Sequence, residues 1–400
     1  MKTALLRTGV FGLALAVALA VQLATDAPAD ACGGCVCAPG FAPPDQANER
    51  VLFALADDGA AGTLLTAVIQ IQYTGAVEDF AWVLPVPEVP ENVDVADPGF
   101  FTSLDAATAP TFQFPFGGGG AVGCSVFGCA AGRAAPGFDT SDSGGSGPVN
   151  VWGTGGVGPY EMAIISGDTV EPLIEWIYRH GYGVPDEFVS IADDYVKENY
   201  KFVVVRLAPE AGVDQLQPLV LQYHEENPCV PLRLTSVAAI PDMGVRVYIV
   251  GDSRAVPINY GTVSPDYTKL ATTPNLAADY DPFLAGEVET AGGKAWVTEY
   301  ASPTDNLAGL LTGGASSYFA PGRYLTRLYT KISPWEMDED PFFDFDPNGL
   351  DVSNVHAIQV SGTAGAAVVG RDAAALGDVF LVSAIVGLFA ARRFGKRRAR

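Results

Sequence analysis

The sequence predicts an α+β protein: a β-rich ectodomain with a central helix pair, plus one C-terminal transmembrane helix. Three observations predict it. Short apolar stretches with two-residue alternation recur along the chain and outnumber the helical patterns. Two amphipathic helical patterns sit together in the middle, between Asp168 and Glu198. Finally, Ala373 to Ala391 is an apolar run with a basic cluster directly behind it.

The clearest strand signal is Thr66 to Pro87. Ala67, Ile69, Ile71 and Tyr73 point one way and Val68, Gln70 and Gln72 the other, so one face is apolar and the other turns polar. Phe80 to Val86 is nearly all apolar and suits a strand buried on both faces. Thr74 to Asp79, with Gly75, reads as the short loop of a hairpin between them. Upstream, Val51–Leu55 is a strand and Asp57-Asp58-Gly59 a turn; downstream, Pro85, Pro87 and Pro90 end the run, because proline cannot donate to a ladder.

Phe116 to Gly158 is rich in Gly, Ser and Ala without sustained periodicity and reads as a flexible insertion. Its GGGG, Gly117–Gly120, is no phosphate loop, since no Gly-Lys-Ser/Thr follows. Tyr160–Ile165 is a strand. Asp168, with Glu171 three residues on, predicts a capped helix carrying Leu173, Trp176, Ile177 and His180 and ended by Gly181. A second helix spans Asp186 to Glu198, with Phe188, Ile191 and Tyr195 on one face. Strands follow at Lys201–Leu207, Leu219–Tyr223, Leu232–Ala238, Val245–Val250, Trp296–Tyr300 and Tyr324–Ile332. Ser333-Pro334-Trp335-Glu336 is a helix start, with Ser as N-cap and Pro at the first position.

The predicted organisation is therefore a signal peptide over 1–31, an N-terminal β-rich part over 32–115, the insertion over 116–158, an α+β remainder over 159–372, the transmembrane helix over 373–391 and a basic cytoplasmic tail over 392–400. Lys2 and Arg7 form the charged end of the leader, Gly9 to Leu23 its apolar stretch, and Ala29-Asp30-Ala31 the small residues before a cut at Cys32. A lipobox would have Leu and a small residue where Ala29 and Asp30 stand. Nineteen helical residues span ~28 Å, enough for a hydrocarbon core of ~30 Å if Asp378 rides near the outer surface. The basic cluster behind the helix predicts that the tail is cytoplasmic and the body outside.

The net charge is −23. Between Cys32 and Asp378 lie 15 basic and 44 acidic residues, a local charge of −29. Such a body repels phosphate backbones, which excludes nucleic acid as a partner. Six cysteines in an exported chain, Cys32, Cys35, Cys37, Cys124, Cys129 and Cys229, point to disulfides, with fifteen pairings open. Cys32-Gly-Gly-Cys-Val-Cys could also bind a metal or serve as a redox pair, but no second pair with zinc-site spacing follows.

Two stretches carry candidate chemistry. Asp344, Asp346, Asn348 and Asp351 follow the first half of a Ca2+ loop, with Gly349 at the turn, but position twelve is Val355. Ser253, in Gly251-Asp252-Ser253-Arg254 after a strand, is a candidate catalytic nucleophile that needs a base and an orienting acid from among His180, His224 and His356. No G-x-S-x-G, H-E-x-x-H or dinucleotide fingerprint is present.

Several segments together carry a resemblance: ACGGCVC, DQANERVLFAL, IQIQYTGAVEDFAWVLPVPEVP, PLRLTSVAAIPDMGVRVYIVGDSRAVPINY, TEYA, RYLTRLYTKISPWEMDEDPFF and DVSNVH. The chain resembles the bacterial exported family known as domain of unknown function 2330, from Cys32 to about His356. The resemblance implies export and an envelope location and implies no activity. It places Gly251 to Arg254 in a strand-turn-strand block rather than an active site.

The sequence thus favours an exported cell-envelope protein anchored by one helix in the cytoplasmic membrane, acting as a non-enzymatic binding or structural module with an envelope ligand or protein partner. The alternative is a secreted serine or metal-assisted hydrolase using Ser253, with Ca2+ near Asp344 to Asp351. Ser253 within hydrogen-bond reach of a histidine in a pocket would support the enzyme.

Overall fold

Two sheets face each other through one apolar core, and helices cover their outer faces. The computed structural model describes residues 35–37, 45–74, 80–113, 149–208, 216–273, 275–307 and 309–358. The expected signal peptide, most of the Gly/Ser-rich insertion, the 373–391 helix and the basic tail lie outside the described residues, as do Cys32, Cys124, Cys129 and the side chain of Cys37.

In chain order the elements are β1 (Cys35–Cys37), β2 (Asp45–Asp57), β3 (Thr63–Thr74), β4 (Phe80–Val86), β5 (Asn92–Val95), α1 (Phe100–Thr108), β6 (Thr111–Gln113), β7 (Val149–Val157) and β8 (Tyr160–Gly167). Then come α2 (Val170–Arg179), α3 (Asp186–Lys197), β9 (Lys201–Leu207), β10 (Leu219–His224), α4 (Leu232–Thr235), β11 (Ala239–Gly251), β12 (Arg254–Pro257) and β13 (Gly261–Val263). The chain continues through α5 (Leu276–Thr290), β14 (Ala295–Pro303), β15 (Tyr324–Ile332), β16 (Phe343–Asp346) and β17 (Val355–Ala357).

Among the described residues the larger sheet has the order β13-β14-β15-β11-β2-β3-β10-β5 and the smaller β1-β4-β9-β8-β7. Most neighbours are antiparallel; β11 runs parallel to β2, and β13 to β14. Alternation places Val51, Phe53, Ala67, Ile69, Val247 and Leu328 of the larger sheet against Trp82, Leu84, Ile164 and Val203 of the smaller. The outer face of the smaller sheet, with Val83, Ile165 and Val204, is covered by Leu173, Trp176 and Ile177 of α2 and Phe188 and Tyr195 of α3. The outer face of the larger sheet carries two apolar clusters. Phe100, Phe101 and Leu104 of α1 cover Leu52, Val68 and Tyr248, and Tyr280, Leu284 and Val288 of α5 cover Val297 and Tyr329. The result is a four-layer arrangement, helices on sheet on sheet on helices. Residues assigned from sequence to separate N-terminal and C-terminal parts share both sheets.

The fold class, the central helix pair and most strands agree with the sequence reading; several details do not. The predicted hairpin of Thr66 to Pro87 does not form: β3 lies in the larger sheet and β4 in the smaller. Both edges of β3 are taken, by β2 and β10, so β4 crosses the core and pairs with β9 and β1. The hairpin is β2–β3, closed through the predicted Asp57-Asp58-Gly59 turn, where Gly59 and Gly62 have φ of 63° and 101°. Val68 is buried against α1, so the second face of β3 is apolar too at that level.

Leu232–Ala238 is not a strand: Leu232–Thr235 is a helical turn and the strand starts at Ala239. The Arg233 N–H donates to Asp340 Oδ1 at 2.8 Å, which fixes the turn against the loop before β16. The cap of α2 is Thr169 rather than Asp168; the helix ends as expected, with Gly181 at φ 89°. The last part of the predicted insertion, Val149–Val157, is an edge strand paired with β8. Ser333 and Glu336 form the expected capping pair, the Ser333 N–H donating to Glu336 Oε2 at 2.8 Å, but the helix is a single 3-10 turn. The sequence reading placed no helix at α1 or α5. Among the described residues no helix is long and apolar enough to cross a membrane.

Candidate functional site

A strand buried on both faces has no natural place for a charge, yet three adjacent strands of the larger sheet each carry an arginine on the outer face. In β2, Arg50 alternates with Val51; in β11, Arg246 alternates with Val245 and Val247; in β15, Arg327 precedes Leu328. The register sets Arg50 opposite Arg246 and Arg246 opposite Tyr329, with Arg327 opposite Tyr248 one step along. Three guanidinium groups gathered on buried surface require counter-charges.

The counter-charges come from elements that sequence periodicity did not reveal. Asp105 projects from α1: its Oδ1 lies 3.0 Å from Arg327 Nη1 and 3.4 Å from Arg246 Nη1, and its Oδ2 lies 3.3 Å from Arg50 Nη1. Tyr248 Oη also donates to Asp105 Oδ1, at 2.6 Å. Burial alone would raise the Asp105 carboxyl; Arg246, Arg327 and Arg50 outweigh it and hold the group below its ordinary value. Glu299 is the second counter-ion. The β14–β15 register shifts between Thr298 and Tyr300, so Glu299 is the extra residue of a bulge. A bulge re-aims a side chain, and here Glu299 accepts Arg327 Nε–H at 2.6 Å and Tyr280 Oη–H at 2.5 Å. Arg327 Nη1 further donates to Thr108 Oγ1 at 3.0 Å. Arg327 is thus buried and paired through both Nε and Nη1, the hub that joins α1, β11, β14 and β15.

Arg246 differs. Its guanidinium lies 4.3 Å from the centroid of the Tyr329 ring. Its Nε is 3.9 Å from Glu299 Oε2, and among the described residues that N–H has no hydrogen-bond partner. Arg246 lines a cavity of about 220 Å3 on the outer face of the sheet, together with Asn48, Arg50, Gln72, Tyr280 and Tyr329. Gly244 belongs to the same wall; a Cβ there would come within 2.5 Å of Asn48 Oδ1 and 2.8 Å of Tyr329 Oη. On the helix side stand Ala277 and Asp281, the latter accepting from Tyr329 Oη at 3.0 Å and facing Lys331 Nζ at 3.7 Å. The two cavities between the sheets are only about 30 Å3 each, so the outer cavity alone among these three has room for more than a water or two.

The candidates named from sequence lie elsewhere. Ser253 is half-buried in the turn from β11 to β12, and among the described residues no histidine is in hydrogen-bond contact with it. His224 lies between Asp58 (Nε2 to Oδ2, 3.2 Å) and Glu91 (Nδ1 to Oε1, 3.5 Å), while His180 stacks on Trp176 at the end of α2. His356 packs on the Tyr267 ring at 4.2 Å. The glycine of the Gly-Asp-Ser stretch has a packing reason: a Cβ on Gly251 would sit 2.0 Å from the Phe345 ring. Asp344 and Asp346 accept backbone N–H groups of Phe345 and Asn348, and Asp351 accepts Tyr324 Oη–H at 2.6 Å. Among the described residues no three carboxylate, histidine or cysteine groups gather as metal ligands. Cys35 is buried in β1; Cys229 is half-buried beside Asp340 and Arg233, forms no disulfide among the described residues, and desolvation pushes its thiol up from the usual value.

The arginines were legible in principle. NERVLFAL, GVRVYIV and YLTRLYTKI each hold a charge inside an alternating apolar strand, which is the signal of a buried charged site.

Fold and site together define an αββα-layered protein with a guanidinium-lined cavity on the outer face of its larger sheet. The chain belongs to the family described as uncharacterized proteins conserved in bacteria, DUF2330, whose model matches residues 26–344. No curated protein and no solved structure matches it.

Proposed function

We propose that this chain is an exported, membrane-tethered module of the bacterial cell envelope that binds a small molecule in the cavity lined by Arg246. The leader-like residues 1–31 and the 373–391 apolar run with its basic tail support export and tethering. One observation carries the binding role: a cavity of about 220 Å3 walled by polar groups, in which the Arg246 guanidinium stays 15% exposed and makes no hydrogen bond among the described residues, its carboxylate contacts being 3.4 and 3.9 Å long. A guanidinium edge without acceptors is a place where ligand oxygens gain charge-assisted hydrogen bonds.

The test uses the full chain. A small-molecule panel is screened by thermal shift, and hits are repeated on Ala277→Phe, which fills the cavity from α5. Binding that raises Tm in the parent and not in the variant supports the reading. Hits that survive the filled cavity, or no hits from any chemical class, sink it. Tethering is read by membrane fractionation with and without residues 373–400; release on truncation is expected, and unchanged sedimentation with membranes overturns the anchor.

A further inference from the structure

Three guanidinium groups, those of Arg50, Arg246 and Arg327, line the cavity. They face Asp105 and Glu299. Lys331 stands 3.7 Å from Asp281. Glu49 also borders the cavity and accepts from the Gln46 amide; burial raises its carboxyl to about 7, so at neutral pH it carries part of a negative charge. The donors on the wall are in surplus. Tyr280 and Tyr329 give their hydroxyl protons to Glu299 and Asp281. The Arg246 guanidinium makes no hydrogen bond among the described residues, its carboxylate contacts being 3.4 and 3.9 Å long, and the half-buried amides of Asn48 and Gln72 have no side-chain hydrogen bond among them either. Three guanidinium groups and unused amide donors, in a cavity too large for one water, call for oxygen acceptors carrying negative charge.

We infer that the cavity takes a small oxyanion, a carboxylate or phosphate group, held by Arg246 with Asn48 and Gln72 as neutral donors. This rests on the cavity being a ligand site and adds the chemical class of the ligand. The guanidinium fork donates its N–H groups to planar carboxylate or tetrahedral phosphate oxygens. The Tyr329 ring, 4.3 Å from the guanidinium, holds it in place against the cavity. Cations are disfavoured by the three guanidinium groups on the wall, and a neutral ligand would make only the weaker, singly charged hydrogen bonds to them.

The experiment is calorimetric titration of the full chain with inorganic phosphate, with succinate, and with glucose and spermidine as neutral and cationic probes. Phosphate or succinate is expected to bind, and the stronger of the two identifies the group. Affinity is expected to fall as NaCl is raised from low to high concentration. Arg246→Gln is expected to weaken binding at least tenfold, and Ala277→Phe to abolish it. Because the parent protein reports the ligand class directly, a poorly folding Arg246 variant does not spoil the test. Binding of glucose or spermidine in place of the anions, blocked by Ala277→Phe, overturns the oxyanion inference and leaves the ligand site standing. Absence of cavity-dependent binding by any probe overturns the inference together with the site. Anion binding unchanged in Arg246→Gln overturns the role of Arg246.

Discussion

Arg327 Nε donates to Glu299 Oε2 at 2.6 Å, and neither side chain exposes more than 2% of its surface. The pair links a regular position of β15 to a bulge of β14 and sits between the apolar clusters under α1 and α5. Removing one member of a buried pair leaves the other charge uncompensated. Glu299→Ala is expected to destabilise the protein by about 3–5 kcal/mol. The double variant Glu299→Ala/Arg327→Met is expected to recover part of that loss. Urea denaturation of the parent, both single variants and the double variant measures the coupling; additive losses would show that the pair is energetically independent.

Glu49 carries a pH dependence of defined sign. Burial raises its carboxyl from 4.5 to about 7, against a smaller lowering by the Gln46 amide. Between those two values the native state keeps a proton that the unfolded chain has lost. Stability therefore falls as pH rises through that window and levels off above it. The full difference is about 3 kcal/mol. Glu49→Gln removes it, so the gap between parent and variant, followed by denaturation from pH 4 to 8, should widen in the variant's favour toward pH 8. A pH-independent gap would refute the assignment.

The Gly251–Phe345 contact separates packing from catalysis in the Gly-Asp-Ser stretch. Gly251→Ala places a methyl inside the Phe345 ring position and is expected to cost about 1–3 kcal/mol. Most of that cost should vanish in a Phe345→Ala background. Ser253→Ala, in the same turn, is expected to stay within about 0.5 kcal/mol of the parent. Equal costs for Gly251→Ala in both backgrounds would rule out the ring as the cause.

Cys229 is expected to resist alkylation in the native state, because burial first and Asp340 second hold its thiol protonated. Iodoacetamide labelling read by peptide mass spectrometry should show it modified only after denaturant is added. Native labelling at the rate of a free thiol would contradict this.

Much of the secondary structure was legible because it is written in short windows. β9 and β15 begin and end where alternation predicts, and α3 spans the expected residues with Glu198 as its C-cap. The misses share a cause. α5 contains Pro282 and Gly286, which break the helical pattern, and α1 is short, so neither signals itself locally. Leu232–Ala238 alternates like a strand and is overridden by the bond from the Arg233 N–H to Asp340, 107 positions away. Ser253 and the Asp344–Asp351 loop attracted notice as motifs, while Arg50, Arg246 and Arg327 belong to no motif.

The amino-acid sequence by itself determined the fold class, the helix pair, most strands and the family, because periodicity and quoted segments are properties of neighbouring residues. It also carries the expectation of export and anchoring, at chain ends outside the described residues. Tertiary structure alone decided that β3 and β4 belong to different sheets. It alone brought Arg327 to Thr108 across 219 positions and turned three separate strand charges into one cavity wall. The reason is register. Which strands neighbour one another, and where a bulge such as that at Glu299 falls, depends on pairings between distant segments competing for the same edges. A local pattern can show that a charge lies in a strand; only the pairing decides what stands opposite it.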